Sequence, residues 1–266
     1  MKGLFCLLVF AGSFCFAGEQ LDRSKYISID EIQPGMKGYC LTIYKGTEIE
    51  KFDLYVVSVI RKVAPGRNAI LVQSTDERFI HTGPVAGCSG TPVYIEGRLA
   101  GALAFGWPFS KDPLYGVTPI EEILQTGRAG DRSDAAHTAY SKGFAFDFSR
   151  PIDFAEINRE MTRNAKQTAD GRKTNFTHNS ANASVLPSPL ITSGLPAGVC
   201  EQLNDSVEPF GLMAVSGGGL ATDAKTAENV RLTPGAALAI PLVTGDISMD
   251  VLGTVTEVSG NKVYAF

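Results

Sequence analysis

The sequence predicts a mainly β fold, built as two strand-rich blocks around a long linker-like insertion. Three observations predict it. Short runs rich in Val, Ile, Tyr and Leu fill residues 26–128, separated by Pro-Gly, Gly-Thr and Glu-Gly turn signals. Similar text returns from about residue 190 and continues to Phe266. Between them, residues 129–188 are rich in Ala, Ser, Thr, Asn and Asp, a loop or linker composition.

In the first block the strand candidates are "CLTIYKG", "KFDLYVVSVIRKV", "NAILVQS", "TPVYIEGRLAGALAFG" and "LYGVTPI". "VYIEGRLAG" predicts a hairpin, with Glu96-Gly97 supplying the turn. "TPIEEILQTGR" predicts a short helix. Thr118 can cap it, Pro119 fits the first position, Glu121 and Glu122 suit the positive N-terminal end, and Gly127 stops it. Within the insertion, "IDFAEINREMTRN" predicts one weak helix. In the last block, "PFGLMAVSGGG" and "GAALAIPLVTGDISMDVLGTVTEVSGNKVYAF" read as strands, with a tight turn at Ser259-Gly260-Asn261. The sequence stops on the strand "VYAF" with no polar tail, which reads as a cut through a domain.

Composition narrows the functional classes. A chain of 266 residues, 44% hydrophobic and 20% charged, can bury a full core as one large or two small domains. Net charge is −4 and no basic block occurs, so nucleic acid and anionic membrane surfaces are not expected partners. Met1-Lys2, the apolar run "GLFCLLVFAGSFCFA" (3–17) and a polar continuation read as a secretory signal peptide over 1–17, cut after Ala17. The run is short of the roughly 20 apolar residues a spanning helix needs. The expected location is therefore secreted or periplasmic, with no membrane attachment after cleavage. Cys6 and Cys15 leave with the signal, and Cys40, Cys88 and Cys200 remain. Three histidines and no paired Cys/His spacing give a metal site no support, and no cofactor is expected.

The chemistry gathers in "AGCSGTP" (86–92). Acyl transfer by a serine needs a nucleophilic oxygen, a base, a group that orients the base, and donors for the oxyanion. Gly87-Cys88-Ser89-Gly90 can supply two of these. Glycines allow a sharp turn, and the Gly87 and Ser89 amides could point at one oxyanion. A Gly-x-Ser-Gly string alone is weak evidence and reads more simply as an ordinary turn between strands.

The surrounding residues sharpen the reading. Thr82-Gly83, Gly87-Cys88-Ser89-Gly90-Thr91-Pro92, Gly97, Gly101-Ala102 and Tyr115-Gly116-Val117 are followed by "TPIEEIL". This order resembles the SpoIVB-type serine peptidases, the sporulation stage IV B family. The resemblance implies a chymotrypsin-like double β-barrel, here incomplete, and endopeptidase activity on a protein or peptide substrate. It makes 18–128 the peptidase domain that carries the serine segment, 129–188 a linker, and 189–266 a β-rich, peptidase-related segment. By the family's motif Ser89 resembles the nucleophile. Thr75-Asp76 takes the place of the family's Thr-Asp pair, so Asp76 resembles the acidic member, at a slightly shorter spacing from the serine. Cys88 stands where the family usually has Met. With no cation beside it but Arg78 or His81 to lower its pKa, Cys88 is disfavoured as a nucleophile.

The base is the gap in this set. His81 lies near the serine, but reads more simply as a surface histidine at the end of the preceding strand, and is disfavoured. His137 and His178 lie in linker-like text. The family's histidine motif is a Gly-Thr-x-Thr strand, a turn, a second strand and then Gly-His. "LGTVTEVSGNKVYAF" (252–266) resembles its first part, so the expected Gly-His falls just after Phe266. The order is also reversed, since the family's histidine segment precedes its serine. On this reading the 266-residue chain is an exported endopeptidase domain that is inactive or nearly so. The alternative is a non-catalytic secreted β-barrel that keeps the fold as a binding surface, with Phe105, Trp107 and Phe109 as an aromatic patch or as core packing.

Overall fold

The structure, a computed structural model, describes residues 21–64, 66–83, 85–107, 110–127, 184–217 and 231–266. The signal-peptide reading of 1–17, the helix expected over 152–164, and His137, His178 and Phe109 lie outside these residues. The fold is mainly β, as the sequence predicts, with a closed barrel and a second sheet consistent with an incomplete double β-barrel.

Six strands close the barrel: β1 (Lys37–Thr42), β2 (Glu50–Ala64), β3 (Arg67–Ser74), β4 (Pro92–Ile95), β5 (Arg98–Gly106) and β6 (Leu114–Pro119). Each pairs antiparallel with its neighbours in the order β1-β2-β3-β6-β5-β4, and β4 returns to β1. Closure leaves none of the six with a free edge along its whole length, which removes the usual template for aggregation. The expected strands and hairpin are all present. In the hairpin, Ile95 pairs with Arg98, and Glu96 and Gly97 take φ of 50° and 79°, the left-handed pair that a two-residue turn of this kind needs. Strand alternation sends Phe52, Leu54, Val56, Ile70, Val72, Val93, Ile95, Leu103, Tyr115 and Val117 inward as one buried cluster.

Between β3 and β4 the chain forms α1 (Glu77–Thr82), where the sequence reading had a strand end and loop. After β6 a helix spans residues 120–127, here α2. It starts slightly later than the sequence suggests. Thr118 and Pro119 are the last residues of β6, Thr118 pairing with Ala102. Ile120, Ile123 and Leu124 of α2 pack with Tyr26, Leu99 and Ala102.

The second sheet contains β8 (Ser188–Ser193), β9 (Leu212–Ser216), β10 (Ala237–Val243) and β11 (Ser248–Ser259), in the order β10-β11-β8-β9, with β12 (Lys262–Ala265) paired to β11. β8 and β9 run parallel, joined through α3 (Ala197–Val207), an element the sequence reading did not include. A parallel pair requires such a crossover. The end of the linker-like stretch is structured: β7 (Ser184–Val185) adds to β5, and Leu186 enters the barrel core. Of the aromatic stretch, Phe105 is buried and Trp107 packs against it with Val63, the core-packing outcome.

Candidate active site

The serine loop sits between the barrel and the second sheet. Its turn is closed by Cys88 N–H to the Val85 carbonyl at 3.3 Å and Thr91 N–H to the Cys88 carbonyl at 3.2 Å. The Gly90 amide and the Thr91 carbonyl both bond to Leu103 of β5, which fixes the loop on the barrel. Ser89 is 6% exposed. Among the described residues neither its hydroxyl nor its amide has a hydrogen-bond partner. The Gly87 amide faces the Pro187 carbonyl at 3.4 Å, a long bond just before β8.

The other side of the loop is held by β11, far away in sequence. Thr254 Oγ1 donates to the Gly87 carbonyl at 3.3 Å, and Thr256 Oγ1 donates to the Gly90 carbonyl at 2.7 Å. These are the two threonines of the "GTVT" stretch. Phe266 pairs back onto Thr254 through N–H to carbonyl bonds of 3.0 and 3.3 Å. A Cβ placed on Gly90 would stand 2.6 Å from the Thr254 carbonyl oxygen and 3.0 Å from the Phe266 nitrogen, and Gly90 has φ +84°. Only glycine allows this approach at this angle. The two segments that the sequence reading assigned to one site therefore meet, with Phe266 against the serine loop.

Asp76 caps α1. Its Oδ1 accepts the Arg78 amide at 2.9 Å, and its own amide donates to Ser74 Oγ at 3.1 Å. Such a side chain satisfies one of the orphan donors at a helix start. Phe79 anchors the helix, lying 4.4 Å from Phe52 and 5.7 Å from Tyr115 between ring centres, and the Tyr115 hydroxyl donates to the Phe79 carbonyl at 3.0 Å. The Arg78 guanidinium bonded to Asp76 holds its carboxyl below the usual carboxylate range. His81 occupies the exposed last turn of α1, not a strand end, and no hydrogen bond joins it to Ser89 or Asp76.

Among the described residues, Cys40, Cys88 and Cys200 are free thiols. Burial pushes the Cys40 thiol up to about 12 and also raises that of Cys88, which packs against the barrel core. A raised thiol is a poor nucleophile at neutral pH, which argues against Cys88 in that role. Among the described residues no cluster of His, Cys, Asp or Glu could hold a metal, and no helix is long and apolar enough to cross a membrane. A groove of about 590 Å³ runs between α2 and β12, lined by Arg67, Glu122, Thr126, Tyr264 and Phe266 among others. It shares Phe266 with the packing against Gly90.

The closed barrel thus carries Ser89 on a turn framed by Gly87 and Gly90, both at positive φ. Residues 19–124 match the sequence model of the SpoIVB peptidase S55 family, which supports a SpoIVB-type peptidase domain over this segment. The match spans the barrel and most of α2 and ends before the second sheet. Neither a curated protein nor a solved structure matches the chain.

Proposed function

We propose that this is an exported serine endopeptidase domain. Ser89 is the nucleophile, the Gly87 and Ser89 amides bind the oxyanion, Asp76 orients the base, and the base is a histidine entering directly after β12. The observation that carries this reading is the pair of threonine bonds from β11 to Gly87 and Gly90, with Phe266 packed against the same loop. The nitrogen and Cβ of Phe266 lie against Gly90, the residue after Ser89, so the end of β12 reaches the loop that a general base must serve.

In the reaction the imidazole takes the Ser89 proton as Oγ attacks the scissile carbonyl of a protein or peptide. The negative charge that develops on the carbonyl oxygen is met by the Ser89 amide, which has no partner among the described residues, and by the Gly87 amide once it turns from Pro187. The imidazolium then gives its proton to the leaving amine, and water hydrolyses the acyl-enzyme by the same route. Side chains and amides supply every step. The apolar run at 3–17 supports export.

The second reading is a non-catalytic binding module. Two observations favour it: the Gly87 amide is already engaged by Pro187, and no described histidine touches Ser89. Labelling with a peptidyl phosphonate separates the two. The 266-residue chain and a chain extended by the residues its gene encodes past Phe266 are compared, with Ser89→Ala as control. The expected result is Ser89 labelling and peptide cleavage by the extended chain, roughly 10²–10⁴-fold faster than by the 266-residue chain. An extended chain that leaves Ser89 unlabelled makes the protein a binding module.

A further inference from the structure

Arg78 is held by two carboxylates and two aromatic rings, and the reaction above gives it no part. Its Nε donates to Asp76 Oδ1 and its second terminal nitrogen to Asp76 Oδ2, both at 3.2 Å. Its first terminal nitrogen donates to Glu50 Oε2 on β2 at 2.7 Å. Its guanidinium lies over the rings of Phe52 at 4.5 Å and Tyr44 at 5.4 Å. The fork is thus held from two edges and one face, a geometry that the point charge of lysine cannot reproduce.

This arrangement dictates what Asp76 can still do. A carboxylate oxygen has two lone pairs. Oδ1 accepts from both the amide and Nε of Arg78, so both are used. Oδ2 accepts from Arg78, and the Phe79 amide also bonds to the carboxylate. Rotation of the carboxylate would break the fork. We propose that Arg78 is a positioning residue that locks the Asp76 carboxylate in one orientation toward the base. The role rests on the peptidase reading, and Arg78 acts only through Asp76.

The titratable and charged groups around Asp76 are Glu77, Arg78 and His81 on α1, Glu50, Lys51 and Asp53 on β2, Cys40 on β1 and Cys88 in the serine loop. Of these, Arg78 is the cation bonded to it.

Two measurements test the proposal. The first follows the Asp76 side-chain carboxyl by carbon NMR during a pH titration of the 266-residue chain, with the resonance assigned through Asp76→Asn. The midpoint is expected below that of an ordinary aspartate, to rise in Arg78→Met, and to recover largely in Arg78→Lys. A midpoint unmoved by Arg78→Met overturns the proposal. The second follows peptide cleavage by the extended chain. Arg78→Met is expected to lower kcat about tenfold or more, within the general-base contribution it supports, with KM unchanged and the acid limb of the pH profile moved upward. Arg78→Lys should restore the acid limb but not the full kcat, since it returns the charge without the fork. Full recovery by lysine overturns positioning in favour of charge alone. Loss of thermal stability with an unmoved acid limb overturns it in favour of scaffolding. If the unsubstituted extended chain leaves Ser89 unlabelled, the peptidase reading falls and the orienting role with it, while the NMR titration still reports the Arg78–Asp76 pair.

Discussion

Thr256 is fully buried, and its hydroxyl is the one side-chain group on β11 that reaches the carbonyl of Gly90. Thr256→Val keeps the shape and removes the donor, so it should cost about 1 kcal/mol, the usual net value of one buried hydrogen bond. Gly90→Ala meets backbone atoms of Thr254 and Phe266 at a positive φ, so it should destabilise by roughly 2 kcal/mol or more. Chemical denaturation of each variant checks both values. Asp76 carries a pH signature. Its carboxyl is held below its ordinary value by Arg78, so its contribution is present above the unfolded pKa of about 4 and is lost as pH falls through the lower folded value. Asn caps a helix nearly as well as Asp. Asp76→Asn should therefore leave neutral-pH stability within about 1 kcal/mol, given how exposed Arg78 is, while flattening the acid side of the stability curve in a pH series of thermal melts. At this scale the motif around Ser89 was plain in the sequence, because glycines at fixed offsets announce a tight turn. The role of Asp76 was only half legible. "STDERF" carries a capping signal, Asp76 followed by an acidic residue, yet it follows directly on a strongly strand-like run and was read as that strand's end.

Among the elements, α1 and β11 matter most to the site. α1 is only six residues long, too short to be stable by itself. Its order comes from Phe79, buried among Phe52, Tyr44 and Tyr115. Phe79→Ala should cost about 3–5 kcal/mol and free the Asp76 cap, which hydrogen exchange at the α1 amides would register as lost protection. β11 is fixed from a second direction. Glu257, with a side chain 4% exposed, pairs at 2.8 Å with Lys25 in the segment that leads into the barrel. The strands were legible as elements because alternation and turn residues are local. α3 was not, since "AGVCEQLNDSV" lacks a side-chain cap at its start and shows one buried residue, Cys200. Neither the parallel β8–β9 pairing nor the closure of β4 onto β1 is encoded in any short window, because both are set by which apolar faces find each other.

For the whole molecule, the barrel core is continuous and self-sufficient in its strand pairing, while the second sheet leaves much of β10 exposed, Ile240 and Leu242 at 51% and 58%. Such apolar surface on an edge strand is a place where further chain or a partner is normally found. The family match ends at residue 124, well before that sheet begins at Ser188, so the order of the two halves was read from residue motifs, and their meeting at Gly87 and Gly90 is a property of the three-dimensional structure alone.

That meeting has a consequence in time. The bond from Thr256 to Gly90 joins positions 166 residues apart, and contacts of such long range form late because a large loop must close first. The serine loop is made early during synthesis, but its scaffold is complete only once β11 has been made and has folded back onto Gly87 and Gly90.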